Sequence, residues 1–67
     1  MSQTVASTIY YPWQRLKRGE GFFIPSLDTD TTRKLGMREA VRTRVLDGRC
    51  MVGIYRGFMG VWFYRLG

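Results

Sequence analysis

The sequence contains no histidine and a single cysteine, Cys50, and these absences exclude several kinds of site. A disulfide framework needs a second cysteine, and a zinc site of the usual type needs several Cys or His ligands. Nucleophilic pairs of Ser or Cys with His are excluded as well. We therefore expect no enzymatic activity, no cofactor and no metal ion in this chain.

Acidic residues are also scarce, because five Asp and Glu stand against eleven Lys and Arg, for a net charge of +6. Only Lys17 and Lys34 are lysines, and the other nine cations are arginines. Arginine pairs bidentately with phosphate and stacks on planar groups. A small body with this charge attracts polyanions, so composition favours nucleic acid or an acidic protein surface as the partner.

Long apolar runs are absent too. No stretch approaches the roughly 18 residues of a membrane-spanning helix, and the first residues lack the basic flank and apolar centre of a secretory signal. Residues 1–9 are polar and without periodicity, so we expect a mobile arm ahead of one domain at 10–67. The lone Cys50 falls in an apolar run and is expected to be a buried, inert thiol. These features fit a cytoplasmic protein that makes no membrane contact.

Short apolar and aromatic runs between glycines and prolines predict three strands. We place them at 21–24, 50–56 and 60–66. A short helical turn at 13–16 precedes the first strand, and residues 57–60 form the loop of a hairpin between the other two. With one helix between the first and second strands, the predicted fold is α+β, a β-α-β-β domain. It has a three-stranded antiparallel sheet with one helix on a face.

The helix is predicted from 31 to 45. Asp28 and Asp30 lie at its start, where their negative charge interacts favourably with the positive end of the helix dipole. Two neighbouring carboxylates can also bind a divalent ion. We favour helix capping as their role. The apolar arc of this helix consists of Met37, Ala40, Val41 and Val45. Gly36 interrupts it at a cost of about 1 kcal/mol relative to Ala.

The Asp47-Gly48 pair leaves the end of this helix open to two interpretations. In the first, Gly48 is the left-handed cap of the long helix. In the second, the pair is the two-residue turn of a hairpin between 44–46 and 49–51, which shortens the helix to about residue 41. We favour the long helix because it brings the apolar arc and a row of basic residues together.

That row consists of Lys34, Arg38 and Arg42, which follow one another at helical spacing. They would form a ridge about 12 Å long, from the rise of 1.5 Å per helical residue. Such a ridge can follow a phosphate backbone or enter a major groove. The same residues are also expected of a face that only keeps a small protein solvated, or of one that recognises an acidic protein.

A second basic cluster, Arg15, Lys17 and Arg18, stands beside Trp13 and two tyrosines. Basic residues interleaved with aromatic ones suit stacking on single-stranded bases. Aromatic residues of so small a protein more often pack its core, and for Trp13 we favour the core.

The last strand is apolar on both sides, since alternation places Trp62 and Tyr64 opposite Val61 and Phe63. One helix covers only one face of a sheet. An uncovered apolar face implies a partner, and a homodimer through that face is the simplest solution. The predicted partner surface is Trp62, Tyr64 and Phe58.

Several motifs of the chain together have a recognisable layout. A Trp and a Leu precede a glycine and a Phe-Phe-Ile-Pro strand, a basic helix follows, and a Gly-Val-x-x-aromatic-Arg strand closes the chain. The matching residues are Trp13, Leu16, Gly19, Phe22-Phe23-Ile24-Pro25 and Gly60-Val61-Trp62-Phe63-Tyr64-Arg65. Over about residues 13–66 this layout resembles a family of short phage-encoded proteins without assigned chemistry, although the last strand is more aromatic here. The resemblance implies a phage origin and small size, but no mechanism.

We predict a small basic accessory protein of phage type that binds nucleic acid, with DNA favoured, through basic residues of its helix. One alternative is an inhibitor or modulator of a host enzyme that binds its partner through the aromatic C-terminal hairpin. A second alternative is a structural component of the virion. The predicted nucleic-acid-binding residues are Lys34, Arg38, Arg42, Arg15, Lys17 and Arg18.

Overall fold

The computed structural model describes residues 10–67, and the arm predicted for residues 1–9 lies outside the described residues. Within 10–67, one α-helix packs on a three-stranded antiparallel sheet, which confirms the predicted α+β fold. No helix in this range is long and apolar enough to cross a membrane. The elements are a 3₁₀ turn (Trp13–Arg15), β1 (Gly21–Pro25), α1 (Thr29–Arg42), β2 (Gly48–Tyr55) and β3 (Phe58–Arg65).

Strand β3 lies in the middle of the sheet, with β1 and β2 at its edges. The register places Phe22 beside Phe63 and Phe23 beside Trp62. Because side chains alternate along a strand, the two pairs lie on opposite faces. Phe63 faces α1, and we call the other side the open face. The open face consists of Gly21, Phe23, Pro25, Arg49, Met51, Gly53, Tyr55, Phe58, Gly60, Trp62 and Tyr64.

Trp13 is central to the core although it lies outside the sheet. Its side chain is fully buried, and its indole N–H donates a hydrogen bond of 2.8 Å to the carbonyl oxygen of Gly36 in α1. Its ring meets those of Phe22 and Phe63 edge-on, with centroids 5.3 and 5.7 Å away. A Cβ at Gly48 would lie 2.9 Å from the indole, so this glycine leaves room for it. The core position predicted for Trp13 is confirmed, and its ring is not available for stacking on bases.

Gly36 sets how closely α1 approaches the sheet. The fully buried ring of Phe63 lies against it, and a Cβ at position 36 would overlap that ring. Phe63 in turn stacks on Phe22 at 5.3 Å. The glycine that costs helical propensity is therefore what permits the contact between helix and sheet.

Helix α1 begins at Thr29, two residues before the predicted start. The carboxylate of Asp28 accepts hydrogen bonds from the backbone N–H and the hydroxyl of Thr31, at 3.2 and 2.7 Å. Asp30 lies in the first turn, where its charge is favourable to the helix dipole. The capping role favoured by the sequence is confirmed for Asp28, whereas Asp30 acts within the first turn of the helix.

Helix α1 ends at Arg42, three residues before the favoured end and close to the end at about residue 41 that the second interpretation implied. Neither role predicted for the Asp47-Gly48 pair, a helix cap or a hairpin turn, is correct. Gly48 is the first residue of β2 and does not cap the helix. Residues 44–47 are not part of a strand, so no hairpin is centred on this pair. Glycine favours the left-handed position because it has no steric penalty there. Gly48 serves another purpose in the structure, since the absence of a side chain leaves room for the Trp13 indole.

The left-handed position belongs to Arg44, with φ of 64°. Its N–H donates to the carbonyl oxygen of Val41 at 3.0 Å, and the N–H of Val45 donates to that of Ala40 at 2.8 Å. These two hydrogen bonds define a Schellman motif, which usually has glycine at this position. The helix thus ends on an arginine in a conformation that favours glycine.

The apolar arc of the helix is confirmed only in part. Ala40 is buried and Met37 is half-buried, while Val45 is buried beyond the end of the helix. Val41 is 66% exposed. Since consecutive helical residues are about 100° apart, a helix that turns Gly36 and Ala40 to the sheet turns Val41 away from it.

The hairpin between β2 and β3 is tighter than predicted. Its turn is Arg56-Gly57, with φ of 53° and 83°, so Phe58 belongs to β3 and not to a loop. Positive φ at both central residues is the pattern of a type I′ turn, whose twist matches that of antiparallel strands. Gly60, which was predicted to close the loop, is buried in the sheet between β1 and β2.

Replacing Gly36 with Ala tests the contact of α1 with β3. An exposed glycine in a helix would gain about 1 kcal/mol from this substitution. Here the added methyl group meets the Phe63 ring, so we expect the free energy of unfolding to fall by about 2 kcal/mol. Urea unfolding measures the change, with Arg38→Ala at an exposed position of the same helix as the control. An unchanged or increased stability of Gly36→Ala would contradict the contact.

Candidate nucleic-acid interface

All five carboxylates of the sequence lie in the described residues, and each one is engaged there. Asp28 caps α1, and Glu20 accepts a hydrogen bond of 2.8 Å from the backbone N–H of Lys17. The other three form ion pairs: Asp30 with Arg33 and Lys34, Glu39 with Arg42, and Asp47 with Arg65. Each acid therefore has a partner within the folded domain.

Four of the eleven cations take part in these ion pairs, and the other seven have no carboxylate partner within 10–67. All seven are exposed. Residues 1–9 contain no Asp or Glu, so the surface keeps an unbalanced positive charge. The seven residues are Arg15, Lys17, Arg18, Arg38, Arg44, Arg49 and Arg56.

The ridge predicted on α1 is solvent-exposed, but two of its three members are ion-paired. Lys34 Nζ lies 3.3 Å from Asp30, and an Arg42 nitrogen lies 2.7 Å from Glu39. The hydrogen bond from Arg42 lowers the pKa of Glu39. Exposed pairs like these contribute little stability, yet a phosphate must compete with a carboxylate for either cation. Of the ridge, Arg38 alone has no carboxylate partner in the described chain.

The unpaired cations are concentrated where α1 ends, β2 begins and β3 ends. Arg65 ties this end together, since it donates to both carboxylate oxygens of Asp47, at 2.9 and 3.1 Å, and to the carbonyl oxygen of Leu16 at 2.8 Å. The hydrogen bond from Arg65, helped by the charge of Arg18, lowers the pKa of Asp47. We call the surrounding cations the basic end: Arg15, Lys17, Arg18, Arg44 and Arg49.

Three members of the basic end belong to the cluster predicted from the sequence, and two were missed. Arg44 was placed inside the predicted helix, and Arg49 was placed before the predicted strand. These two arginines reach the same end of the domain as Arg15 only because the C-terminus of α1 packs near the start of β2. The sequence held no clear signal for Arg44, because many helices end without a left-handed residue and glycine is the usual choice where they have one.

The aromatic residues next to Arg15 contribute less surface than the sequence predicted. Tyr11 belongs to the core, with its ring 5.7 Å from Phe63, and burial raises the pKa of its hydroxyl. Trp13 is fully buried. Tyr10, which precedes these residues in the chain, is 62% exposed.

A second group of aromatic side chains lies on the open face. Phe23, Tyr55 and Trp62 have ring centroids 5.0 to 5.4 Å apart, and we call them the aromatic cluster. Two glycines make room for these rings. A Cβ at Gly53 would lie 3.2 Å from the Trp62 indole, and one at Gly60 would lie 2.7 Å from the Phe23 ring.

The three residues of the predicted partner surface all lie on the open face, at different points along it. Trp62 belongs to the aromatic cluster, Tyr64 lies towards the basic end, and Phe58 lies beside the hairpin turn. Sequence reasoning missed Phe23 and Tyr55 as members of this surface. Alternation along the first two strands, read together with the last, was the signal that could have found them.

The described residues hold no group of three or more His, Cys, Asp or Glu side chains that could bind a metal ion. Cys50 packs half-buried against the core, and burial raises the pKa of its thiol although Arg33 acts in the opposite sense. A protonated thiol is a poor nucleophile. The thiol expected to be buried is thus half-buried, and its inertness stays a prediction.

No family model, curated protein or solved structure matches this chain. A functional argument therefore depends on the surfaces themselves. Two are candidates for binding, namely the basic end and the aromatic cluster of the open face.

The Asp47–Arg65 ion pair should make stability depend on pH. Because the folded-state pKa of Asp47 is lowered, its contribution is present above the unfolded-state pKa of about 3.9 and is lost as the pH falls through the folded value. We expect Asp47→Asn to unfold at a lower urea concentration than the wild type at neutral pH. The difference should narrow in acid, once the pH has fallen through the lowered folded-state pKa of Asp47 and the wild-type carboxyl is protonated as well.

Asp30→Asn is the control for this experiment, because it removes a more exposed carboxylate that is also ion-paired. At neutral pH we expect the urea concentration at which Asp30→Asn unfolds to differ less from that of the wild type than it does for Asp47→Asn. A difference for Asp47→Asn that is the same at both pH values would show that the charge of Asp47 does not contribute.

Proposed function

We propose that this protein binds nucleic acid through exposed arginine and lysine side chains centred on the basic end. One observation carries the proposal: all five carboxylates are engaged within the fold, while seven cations have no carboxylate partner in residues 10–67. The arginine guanidinium matches the geometry of phosphate. Phosphate contacts by such cations supply most of the affinity of non-specific nucleic-acid binding.

Two of these arginines occupy backbone conformations that are unfavourable for them. Arg44 and Arg56 have φ of 64° and 53°, and they are the non-glycine residues of positive φ in the described chain. Such a conformation costs roughly 1 kcal/mol or more for a residue with a Cβ. Strained backbone positions are concentrated at functional sites. The presence of unpaired guanidinium groups at both positions supports a binding role for them.

We place the site of action in the host cytoplasm, as the phage origin expected from the sequence implies, where DNA and RNA are both present. The unpaired Cys50 suits that reducing compartment. Phosphate contacts position a protein on nucleic acid without reading its sequence. We therefore expect an affinity that falls steeply with salt and discriminates little between sequences, with DNA as the favoured ligand.

The tip of the β2–β3 hairpin supports a second candidate function, binding to a host protein. Ile54 and Phe58 are 70% and 64% exposed, and Met59 beside them is 49% exposed. Aromatic and methionine side chains are enriched at the centres of protein interfaces, and Arg56 in the turn would steer an acidic partner. The two candidates differ in which surface is needed, the hairpin tip or the basic end.

Fluorescence anisotropy of labelled DNA and RNA oligonucleotides, at low and physiological salt, tests the main proposal. Lys17→Gln combined with Arg18→Gln removes two unpaired cations of the basic end. We expect this variant to bind more weakly and to reduce the slope of log affinity against log salt by about 1.5, because two phosphate contacts are lost.

Lys34→Gln combined with Arg42→Gln is the matched control, since it removes the same charge from residues that are ion-paired on α1. We expect a smaller loss of affinity and little change in the slope. Equal losses in the two variants would show that only total charge matters. Wild-type protein that binds no oligonucleotide at physiological salt would refute the proposed function.

Arg44→Gly should separate stability from binding. Glycine adopts the left-handed conformation without strain, so we expect the free energy of unfolding to rise by about 1 kcal/mol while affinity for nucleic acid falls. Arg44→Ala is the control, because it removes the charge and keeps the strain. Urea unfolding and anisotropy on the same preparations measure both effects. A stabilised Arg44→Gly that binds as tightly as the wild type would remove Arg44 from the interface.

A further inference from the structure

The open face carries aromatic side chains that the core does not use. The helix α1 and Trp13 both pack on the opposite face of the sheet. The aromatic cluster is therefore separate from the hydrophobic centre of the domain. The buried core residues are Trp13, Ala40, Val45, Val61 and Phe63.

The backbone beneath the aromatic cluster gives its rings their positions. Gly53 and Gly60 are partners in the register of β2 and β3. Because neither has a side chain, Trp62 lies close over one and Phe23 over the other, and Tyr55 approaches both rings at 5.0 and 5.4 Å. The ring planes are inclined to one another by 54 to 73°, so no ring of the cluster lies flat on its neighbour.

The charged residue on the described open face is an arginine, and a second arginine lies in the turn beside it. Arg49 lies on it near the start of β2, and the guanidinium of Arg56 lies 5.2 Å from the centre of the Tyr55 ring. None of the five carboxylates belongs to this face. The two arginines are seven residues apart, which is about 23 Å along an extended strand. A strip of rings between two cations is complementary to bases joined by phosphates.

We propose that the open face is a base-stacking platform for single-stranded nucleic acid, with the aromatic cluster against bases and Arg49 and Arg56 on phosphates. This inference rests on the proposed function and specifies its ligand. Aromatic side chains on an open sheet can stack roughly two or three unpaired bases. In a duplex the faces of the bases are covered by neighbouring base pairs, so the platform selects single strands. Stacking tolerates any base, because every base has a π face.

A second copy of this chain is the main competing occupant, and the charges of the open face disfavour it. In a face-to-face dimer with two-fold symmetry and strands running in opposite directions, Arg49 of one face lies over the end of the other face that carries Arg56. With strands running in the same direction, the arginines of the two copies gather at the same ends of the interface. Juxtaposed like charges are unfavourable in an interface, and the open face offers no carboxylate to neutralise them.

Ring-to-leucine variants test the platform. Trp62→Leu and Tyr55→Leu each remove one ring of the cluster, and Tyr10→Leu makes the same change at an exposed aromatic residue outside the sheet. The probes are labelled oligo-dT and oligo-U of about twelve nucleotides, which compare DNA with RNA, and a DNA duplex of equal length. Circular dichroism and urea unfolding establish that each variant is folded.

We expect the wild type to bind the single strands more tightly than the duplex. Each ring variant should weaken single-strand binding about tenfold, with the salt slope and duplex affinity unchanged, since stacking is lost and the phosphate contacts are kept. Tyr10→Leu should change none of these values. A loss in Tyr10→Leu with none in Trp62→Leu and Tyr55→Leu would place the bases elsewhere and overturn the proposal.

Tryptophan fluorescence provides an independent measurement, because Trp62 lies on the open face whereas Trp13 is fully buried. Unlabelled oligo-dT should quench part of the wild-type emission and almost none of the emission of Trp62→Leu. Trp62→Phe keeps a ring for stacking, so it should recover most of the affinity without the quenching. Equal quenching in the wild type and in Trp62→Leu would contradict stacking at this position.

The outcomes separate this inference from the proposed function. If the loss of Lys17 and Arg18 weakens binding while both ring variants bind oligo-dT as the wild type does, nucleic-acid binding stands and the platform is wrong. If the wild type binds no oligonucleotide at physiological salt, both proposals fail. A dimer in sedimentation that Trp62→Leu converts to a monomer, with unchanged affinity for oligo-dT, would make the open face a dimer interface and overturn the platform.

Discussion

The contact between Gly36 and Phe63 is the constraint on which the rest of this structure depends. Because the helix has no side chain at this point, it comes close enough to cover Phe63, and its carbonyl oxygen accepts the hydrogen bond of Trp13. A chain of 67 residues has few residues to bury, and each one is important for stability. The helix completes the core on one face of the sheet. The open face is therefore not needed for the core.

The placement of the acids explains why the positive charge is uneven. Asp28 and Asp30 lie at the positive end of α1, where Asp28 caps the helix and Asp30 pairs with Arg33 and Lys34. Asp47 holds the junction at the other end through Arg65. The basic end gathers near the C-terminus of α1, where the helix dipole favours cations. A binding surface can therefore accumulate charge there without opposing the helix.

The two surfaces proposed for nucleic acid are continuous through Arg49, which belongs to the basic end and to the open face. Strand β2 runs from Arg49 to the hairpin. A single-stranded nucleic acid bound along β2 would therefore contact the cations of the basic end first and the rings of the aromatic cluster next. Arg44 and Arg56, the arginines of positive φ, lie before and after this strand. Both candidate surfaces thus share one path along β2.

The sequence by itself determined the kind and order of the elements, because these depend on neighbouring residues: the alternation around Val61 and Trp62, the proline that closes β1, and the acids at the start of α1. Only the tertiary structure decided that Gly36 is a contact, that Arg44 and not Gly48 takes the left-handed position, and which cations are ion-paired. It also brought together the aromatic cluster from three different strands. Each of these outcomes depends on the packing of segments distant in the chain, and a local pattern contains no information about that packing.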